Sequence, residues 1–226
     1  MIDFHSHLLP GFDDGAKNEA QLEEMLSLLQ TQGVKSVVLT PHFYPHSQRI
    51  SDFVKERNKR VVETKNVFDK FGFKLHVGAE VYLLDTLLTK ENLTQLCIDG
   101  GNYIMLEIPF GDANEEQLIK LINKLSVDFD VIPIIAHIDR YPRLFKRQFL
   151  EELAEIGCLV QFNIECLENV FIRHRVKKFL SDDLLHLAGS DCHNTTTRRP
   201  NFDILQKYLS EQLIHKITSN GKKILK

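Results

Sequence analysis

The stretch IDFHSHLLPGFDDG, residues 2–15, opens on a short apolar-rich run. It closes that run with two imidazoles one residue apart, followed by the acidic pair Asp13 and Asp14. Residues 2–4 read as a strand. On a strand, residues i and i+2 point to the same face, so His5 and His7 can both reach one ion. The spacing predicts a two-toothed metal clamp at the end of the first strand.

The same logic extends along the chain, where short apolar runs alternate with amphipathic stretches. Asn18, with Gln21 three residues on, is a capping signature, and Leu22, Met25, Leu26 and Leu29 form the stripe of a helix that Gly33 closes. VKSVVLT (34–40) reads as a buried strand, and a long polar helix follows over 51–71. FKLHVGAEV (73–81), NYIMLEIP (102–109), VIPIIAHI (131–138), CLVQFNI (158–164) and LLHLAGSD (184–191) read as the remaining strands. Asn114 and Gln117 repeat the capping signature before the helix that carries Leu118, Leu121, Ile122 and Leu125. Seven strands alternating with helical segments imply a parallel sheet with right-handed crossovers. No linker or composition shift divides the chain, so residues 1–226 are expected to form one domain.

Each predicted strand finishes in a polar residue. The series is His5 and His7, then His42, Glu80, Glu107, His137, Asn163, and finally Asp191 with His193. In an α/β barrel the carboxyl ends of all strands converge on one face, whereas an open sheet joins only neighbours. A seven-stranded parallel (β/α) barrel with a metal site at those ends is therefore the predicted fold. So many acids and imidazoles buried together are costly without a cation, and divalent metals take neutral imidazole nitrogen and carboxylate oxygen as ligands. His46, His76, His174, His186 and His215 lie away from strand ends and read as structural or surface residues.

The totals exclude other classes. The chain has 226 residues and a formal net charge of −3, with 28 basic and 31 acidic residues in no block. No basic face suggests nucleic-acid binding. No run approaches the ~20 apolar residues of a membrane helix. The N-terminal stretch lacks a basic n-region, so a cytoplasmic protein without membrane insertion is expected. Cys97, Cys158, Cys166 and Cys192 are scattered, without the paired spacing of a zinc site or a disulfide framework.

These residues carry a resemblance to a known family. DFHSHLLPGFDDGAK (3–17), TPHF (40–43), GAEVYL (78–83), GGNYIMLEIP (100–109), IIAHIDRYP (134–142), GCLVQFN (157–163) and GSDCHN (189–194) resemble the polymerase and histidinol phosphatase (PHP) superfamily. Within it, the sequence is most similar to the bacterial manganese-dependent protein-tyrosine phosphatases of capsule and exopolysaccharide operons. The resemblance implies a distorted seven-stranded barrel with three divalent ions, Mn²⁺ in first place, with Fe, Co or Zn as other possibilities. It implies that His5, His7, Glu80 and Asp191 hold one ion, and that Glu80, Glu107 and His137 hold the second. Asp14, His42 and His193 would hold the third. Arg140 resembles a phosphate-gripping arginine, and Arg198 or Arg199 a second one. The implied substrate is the phosphotyrosine tail of a polysaccharide-assembly tyrosine autokinase. Where members of the family often carry proline and glutamate, this chain has Ile138 and Asp139.

A site of this kind suits phosphomonoester hydrolysis, in which positioning and charge neutralisation supply most of the catalysis. Three other readings stay open on the sequence. One is a small-molecule phosphatase of the same superfamily, such as a histidinol phosphatase. Another is an amidohydrolase, which commonly places a carboxylated lysine where Glu107 stands. The third is a metal-loaded module that binds a kinase tail without turnover. A rival mechanism lies in Cys192–Arg198, which satisfies the C-x5-R spacing of cysteine-dependent phosphatases. Against it, the loop has no glycine to let its backbone curl around phosphate, and Cys192 sits between two candidate ligands.

Overall fold

The computed structural model describes residues 1–111 and 114–225. Among them run nine strands: β1 (Ile2–Ser6), β2 (Ser36–Leu39), β3 (His42–Phe43), β4 (Lys74–Val77), β5 (Glu80–Tyr82), β6 (Tyr103–Glu107), β7 (Ile132–Ile135), β8 (Leu159–Asn163) and β9 (Leu187–Gly189). Seven helices accompany them: α1 (Glu19–Thr31), α2 (Ile50–Lys70), α3 (Glu115–Phe129), α4 (Arg147–Glu155), α5 (Val170–Ser181), α6 (Phe202–Tyr208) and α7 (Glu211–Ile224). Every strand pair is parallel. The result is an α/β fold, as the alternation of strand and helix signals predicts.

The expected count of seven strands in one barrel is not met. The strands form a three-stranded sheet, β1-β2-β4, and a six-stranded sheet, β3-β5-β6-β7-β8-β9. The reason is local. Pro41 has no N–H to give the ladder, and it separates β2 from β3. Gly78 and Ala79 likewise separate β4 from β5. Individual bonds still cross both breaks, since Gly78 N–H donates to Leu39 O (2.9 Å) and Glu80 N–H donates to Pro41 O (3.0 Å). The segment just past β9 bridges back to β1, Ser6 with Cys192, and Asp191 N–H donates to His5 O (2.8 Å).

The strands read as near-continuous apolar runs because both faces are covered. Phe4, Val38, Met105, Ile134 and Leu187, one from each of five strands, pack into a cluster of their own. Helix α7 comes up against it, so that a Cβ added at Gly221 would lie 2.7 Å from the Phe4 ring. The larger core lies between the strands and all seven helices, α7 adding Ile217 to it. The capping signatures hold: the Asn18 side chain accepts from Gln21 N–H (3.0 Å), and Asn114 accepts from Gln117 N–H (3.2 Å). β7 is followed by a 3₁₀ turn, Ile138–Arg140, and α4 starts only at Arg147. The C-terminal helices α6 and α7 are parted at Leu209 and Ser210.

Candidate metal centre

Most candidate ligands leave the framework at or near the end or break of a strand, while Asp14 comes from the loop between β1 and α1. His5 lies in β1 and Glu107 ends β6, while His42 and Glu80 open β3 and β5 just past the two breaks. His137 and Asp191 follow β7 and β9 by two residues, and both take positive φ (29° and 51°). A non-glycine residue held there costs about 1–3 kcal/mol, and such positions concentrate at functional sites.

The side chains converge on Glu80, which is 1% exposed. Its Oε2 has three imidazole nitrogens around it: His42 Nδ1 at 3.0 Å, His5 Nε2 at 3.2 Å and His7 Nε2 at 3.3 Å. Yet that buried oxygen makes no hydrogen bond. The other oxygen lies 2.8 Å from His137 Nε2, which is also 3.6 Å from Glu107. Asp14, on the exposed side, is 3.3 Å from His193 Nε2 and 3.4 Å from His42 Nε2. Asp191 lies 3.5–3.6 Å from His5, His7 and His193.

Hydrogen bonding to the far ring nitrogens tests whether a cation fits here. His7 Nδ1 lies 2.8 Å from Asp13 Oδ2, and His5 Nδ1 lies 3.2 Å from Gln161 Oε1. The Gln161 amide is fixed as acceptor on that side, because His137 N–H also donates to Oε1 while its NH₂ donates to Phe162 O and Asn163 Oδ1. These contacts claim Nδ1 of both rings, so the nitrogen each ring can offer a cation, in its neutral form, is the inward-facing Nε2. The two Nε2 atoms stand 3.1 Å apart. Two facing Nε2 atoms beside a carboxylate oxygen that lacks a hydrogen bond are what a cation would join. The donors are nitrogen and oxygen only, which suits Mn, Fe, Co or Zn. Among the described residues, three groupings bring ligand atoms close enough to hold an ion: His7, Asp14, His42 and His193; His5, His7 and Glu80; and His42, Glu80 and Glu107.

The electrostatics favour positive charge at this place. Burial opposes a charged His7, but Asp13 and Glu80 outweigh it and raise the imidazole to about 10. Burial likewise works against ionised Asp191 and Glu80, and His5 foremost holds both carboxyls below their usual range. Glu107 is raised, by burial and by the charge of Glu80. His193 falls to about 3 through burial and the neighbouring charge of His7.

Two arginines close the rim, and both grip Asp191. Arg140 Nη2 lies 2.8 Å from Oδ2 and Arg198 Nη2 lies 2.7 Å from Oδ1. The 3₁₀ turn after His137 presents Arg140, with Asp139 accepting from Asn163 N–H (2.7 Å) to pin that turn to β8. Asn194 bends the last loop by accepting from Thr196 N–H and Arg198 N–H. That turns Arg198 inward and leaves Arg199 exposed. The buried Nε of Arg198 has no hydrogen-bond partner, so it keeps a donor for an anion. Cys192 is fully buried, and burial with the charge of Asp3 pushes its thiol well above the ordinary value. A nucleophilic thiolate needs the opposite environment.

Several positioning residues are not signalled by the spacing of the ligands. Asp13 holds His7, Gln161 holds His5, and Asn163 donates to Asp191 (2.8 Å). Asp3 accepts from Ser190 Oγ (2.6 Å) and N–H (2.9 Å), tying the end of β9 to β1. Acid next to a ligand motif was the available sign for Asp13. Asn163 stands in the polar strand-end series, but nothing in the spacing pairs it with Asp191, and Gln161, two residues before it on β8, carries no sign of its own.

Fold and site together define a parallel α/β protein with clustered strand-end ligands able to hold metal ions. The family model for capsular polysaccharide synthesis, CpsB/CapC, matches residues 1–226, and the chain belongs to that family. Tyrosine-protein phosphatase CpsB of Streptococcus pneumoniae is 29% identical over 246 residues, covering 100% of this chain and 98% of its own length. Tyrosine-protein phosphatase YwqE of Bacillus subtilis is 28% identical over 250 residues, covering 100% and 92%. A crystal structure from a study of YwqE and the pneumococcal CpsB, described there as unique metal-dependent tyrosine phosphatases, superposes with a TM-score of 0.79. It is 24% identical and spans 100% of this chain and 94% of that one. This last likeness is one of fold.

Proposed function

We propose that this chain is a metal-dependent phosphotyrosine phosphatase acting in capsular polysaccharide synthesis. The observation that carries the reading is Glu80 Oε2, buried without a hydrogen bond among three imidazole nitrogens. Family membership and the names of the two relatives supply the substrate class. The cytoplasmic phosphotyrosine tail of a polysaccharide-assembly autokinase is the proposed partner, with residues 1–226 working as one domain.

His5, His7, Glu80 and Asp191 would hold one divalent ion, Glu80, Glu107 and His137 a second, and Asp14, His42 and His193 a third, Mn²⁺ being the favoured metal. Such ions supply the acidity that makes water nucleophilic at neutral pH and neutralise phosphoryl charge. The chain's own residues do the rest. Arg140 and Arg198, on either side of Asp191, offer planar forks for phosphoryl oxygens, and the free Nε of Arg198 adds a donor. Asp13 and Gln161 keep the two rings in the tautomer that leaves Nε2 unprotonated. A tyrosine leaving group, with a pKa near ~10, needs less proton assistance than an alkyl alcohol.

The test is hydrolysis of a phosphotyrosyl peptide, beside a phosphoserine peptide and histidinol phosphate, each after chelation and again after Mn²⁺ is restored. Metal-restored hydrolysis selective for phosphotyrosine is expected. Turnover of histidinol phosphate alone would overturn the protein substrate and keep the site.

A further inference from the structure

Beside the metal cradle lies a cavity of about 620 Å³, lined by Pro109, Phe110, Arg140, Tyr141, Pro142 and Leu144 among others. Its size falls within the range of small-ligand pockets. Arg140 belongs both to this cavity and to the cradle, through its contact with Asp191. The aromatic residues form a continuous path between the two. The Tyr141 ring lies 5.8 Å from the His137 ring, and the Phe110 ring stacks on Tyr141 at 5.2 Å and 25°. Tyr141 is 7% exposed and donates its hydroxyl to Ile108 O, so its ring is fixed. Phe110 is the outlier: it follows Glu107 by three residues, yet 62% of it is exposed. A large aromatic face held open on a rigid ring, next to an arginine, needs an apolar partner that is itself tied to an anion.

We propose that Phe110, backed by Tyr141, is the shelf on which the aryl ring of the phosphotyrosyl substrate lies while its phosphate is held at Arg140. This deepens the phosphatase reading above and rests on it. The occupant is argued from complementarity. The cavity runs from a cation to an apolar aromatic wall, and a phosphotyrosyl side chain runs from an anion to an apolar aromatic ring. An alkyl phosphomonoester has the anion and lacks the ring. Phe110 is thus a specificity residue that touches the substrate ring and takes no part in moving the phosphoryl group.

The test uses the full chain with Mn²⁺ and compares the parent with Phe110→Ala and Phe110→Tyr. Kinetics are run on a phosphotyrosyl peptide, with inorganic phosphate as a competitive inhibitor that has no ring. Loss of an offset aromatic contact together with its buried area is expected to raise KM for the peptide about tenfold, with kcat little changed. Inhibition by phosphate should be unaltered, and Phe110→Tyr should restore the parent KM. An unchanged KM in Phe110→Ala would overturn the shelf while leaving the phosphatase reading intact. An equal weakening of peptide and phosphate would overturn it too, since that marks a disturbed cradle. A parent chain that does not turn over the peptide would overturn both.

Discussion

Asp13 makes no contact with a substrate in this account, yet its replacement by asparagine should be felt in metal binding. Three donors converge on its carboxylate: His7 Nδ1–H at 2.8 Å and His42 N–H at 3.2 Å on Oδ2, and Gly15 N–H at 3.0 Å on Oδ1. The carboxyl is held well below its usual range, against burial, chiefly by the charge of His7. Asparagine offers one acceptor oxygen and one NH₂ in the same space. With the oxygen toward His7, the NH₂ faces Gly15 N–H; with the amide reversed, it faces both His7 and His42. Either way a donor meets a donor, and the His7 ring loses the negative charge that fixes its tautomer. Replacing a group that orients a metal-binding histidine costs about 10–100-fold in metal affinity or activity. The assay is kcat/KM on a phosphotyrosyl peptide as a function of Mn²⁺ concentration, with a thermal melt as control. Asp13→Asn should need about 10–100-fold more Mn²⁺ for half-maximal activity and recover much of the parent rate at saturation. A metal response within twofold of the parent would refute the reasoning.

Other perturbations separate the remaining roles. Arg198→Ala and Arg140→Ala should each lower kcat/KM by about 10²–10³, the usual loss of one preorganised charge-stabilising donor, while Arg199→Ala should sit near the parent. Cys192→Ser should keep most activity, and near-total loss would restore the thiolate mechanism. Gly189→Ala should destabilise the fold by about 1–3 kcal/mol in a denaturant melt, because the new Cβ would lie 2.4 Å from His5 Cβ and 2.9 Å from Gln161 Nε2. Asp139, raised to about 7 by burial, holds its proton longer in the folded chain than in the unfolded one. It therefore takes stability away as pH rises from about 4 toward 7. Asp139→Asn keeps an acceptor for Asn163 N–H and removes that loss, so its melting temperature should rise relative to the parent between pH 5 and pH 8. A constant difference across that range would contradict the assignment.

The candidate ligands are legible in the sequence because period-two strands and polar strand ends are local facts. His5 and His7 two apart, Glu107 closing an apolar run, and Asp191 after LAGS each declare themselves. The alternation of strand and helix likewise gives the α/β class. The strand count was not legible as seven, because Pro41 and Gly78 interrupt runs that hydropathy reads straight through. Asp13, Gln161 and Asn163 act only through partners that the fold brings near. Gln161 lies 156 positions from the His5 ring it holds, and no spacing rule spans that distance. The choice between Arg198 and Arg199 depends on how Asn194 folds its own loop, which is a tertiary fact about five residues.

The central claim is that the strand-end cluster binds metal ions and that hydrolysis depends on them. The most direct measurement is the metal content of the chain after Mn²⁺ loading and desalting, taken in parallel with phosphotyrosyl-peptide hydrolysis for the parent and for Glu80→Gln. The account requires bound metal and activity to fall together, by stripping in the parent and by substitution in the variant. Full hydrolysis by a chain stripped of metal would contradict it.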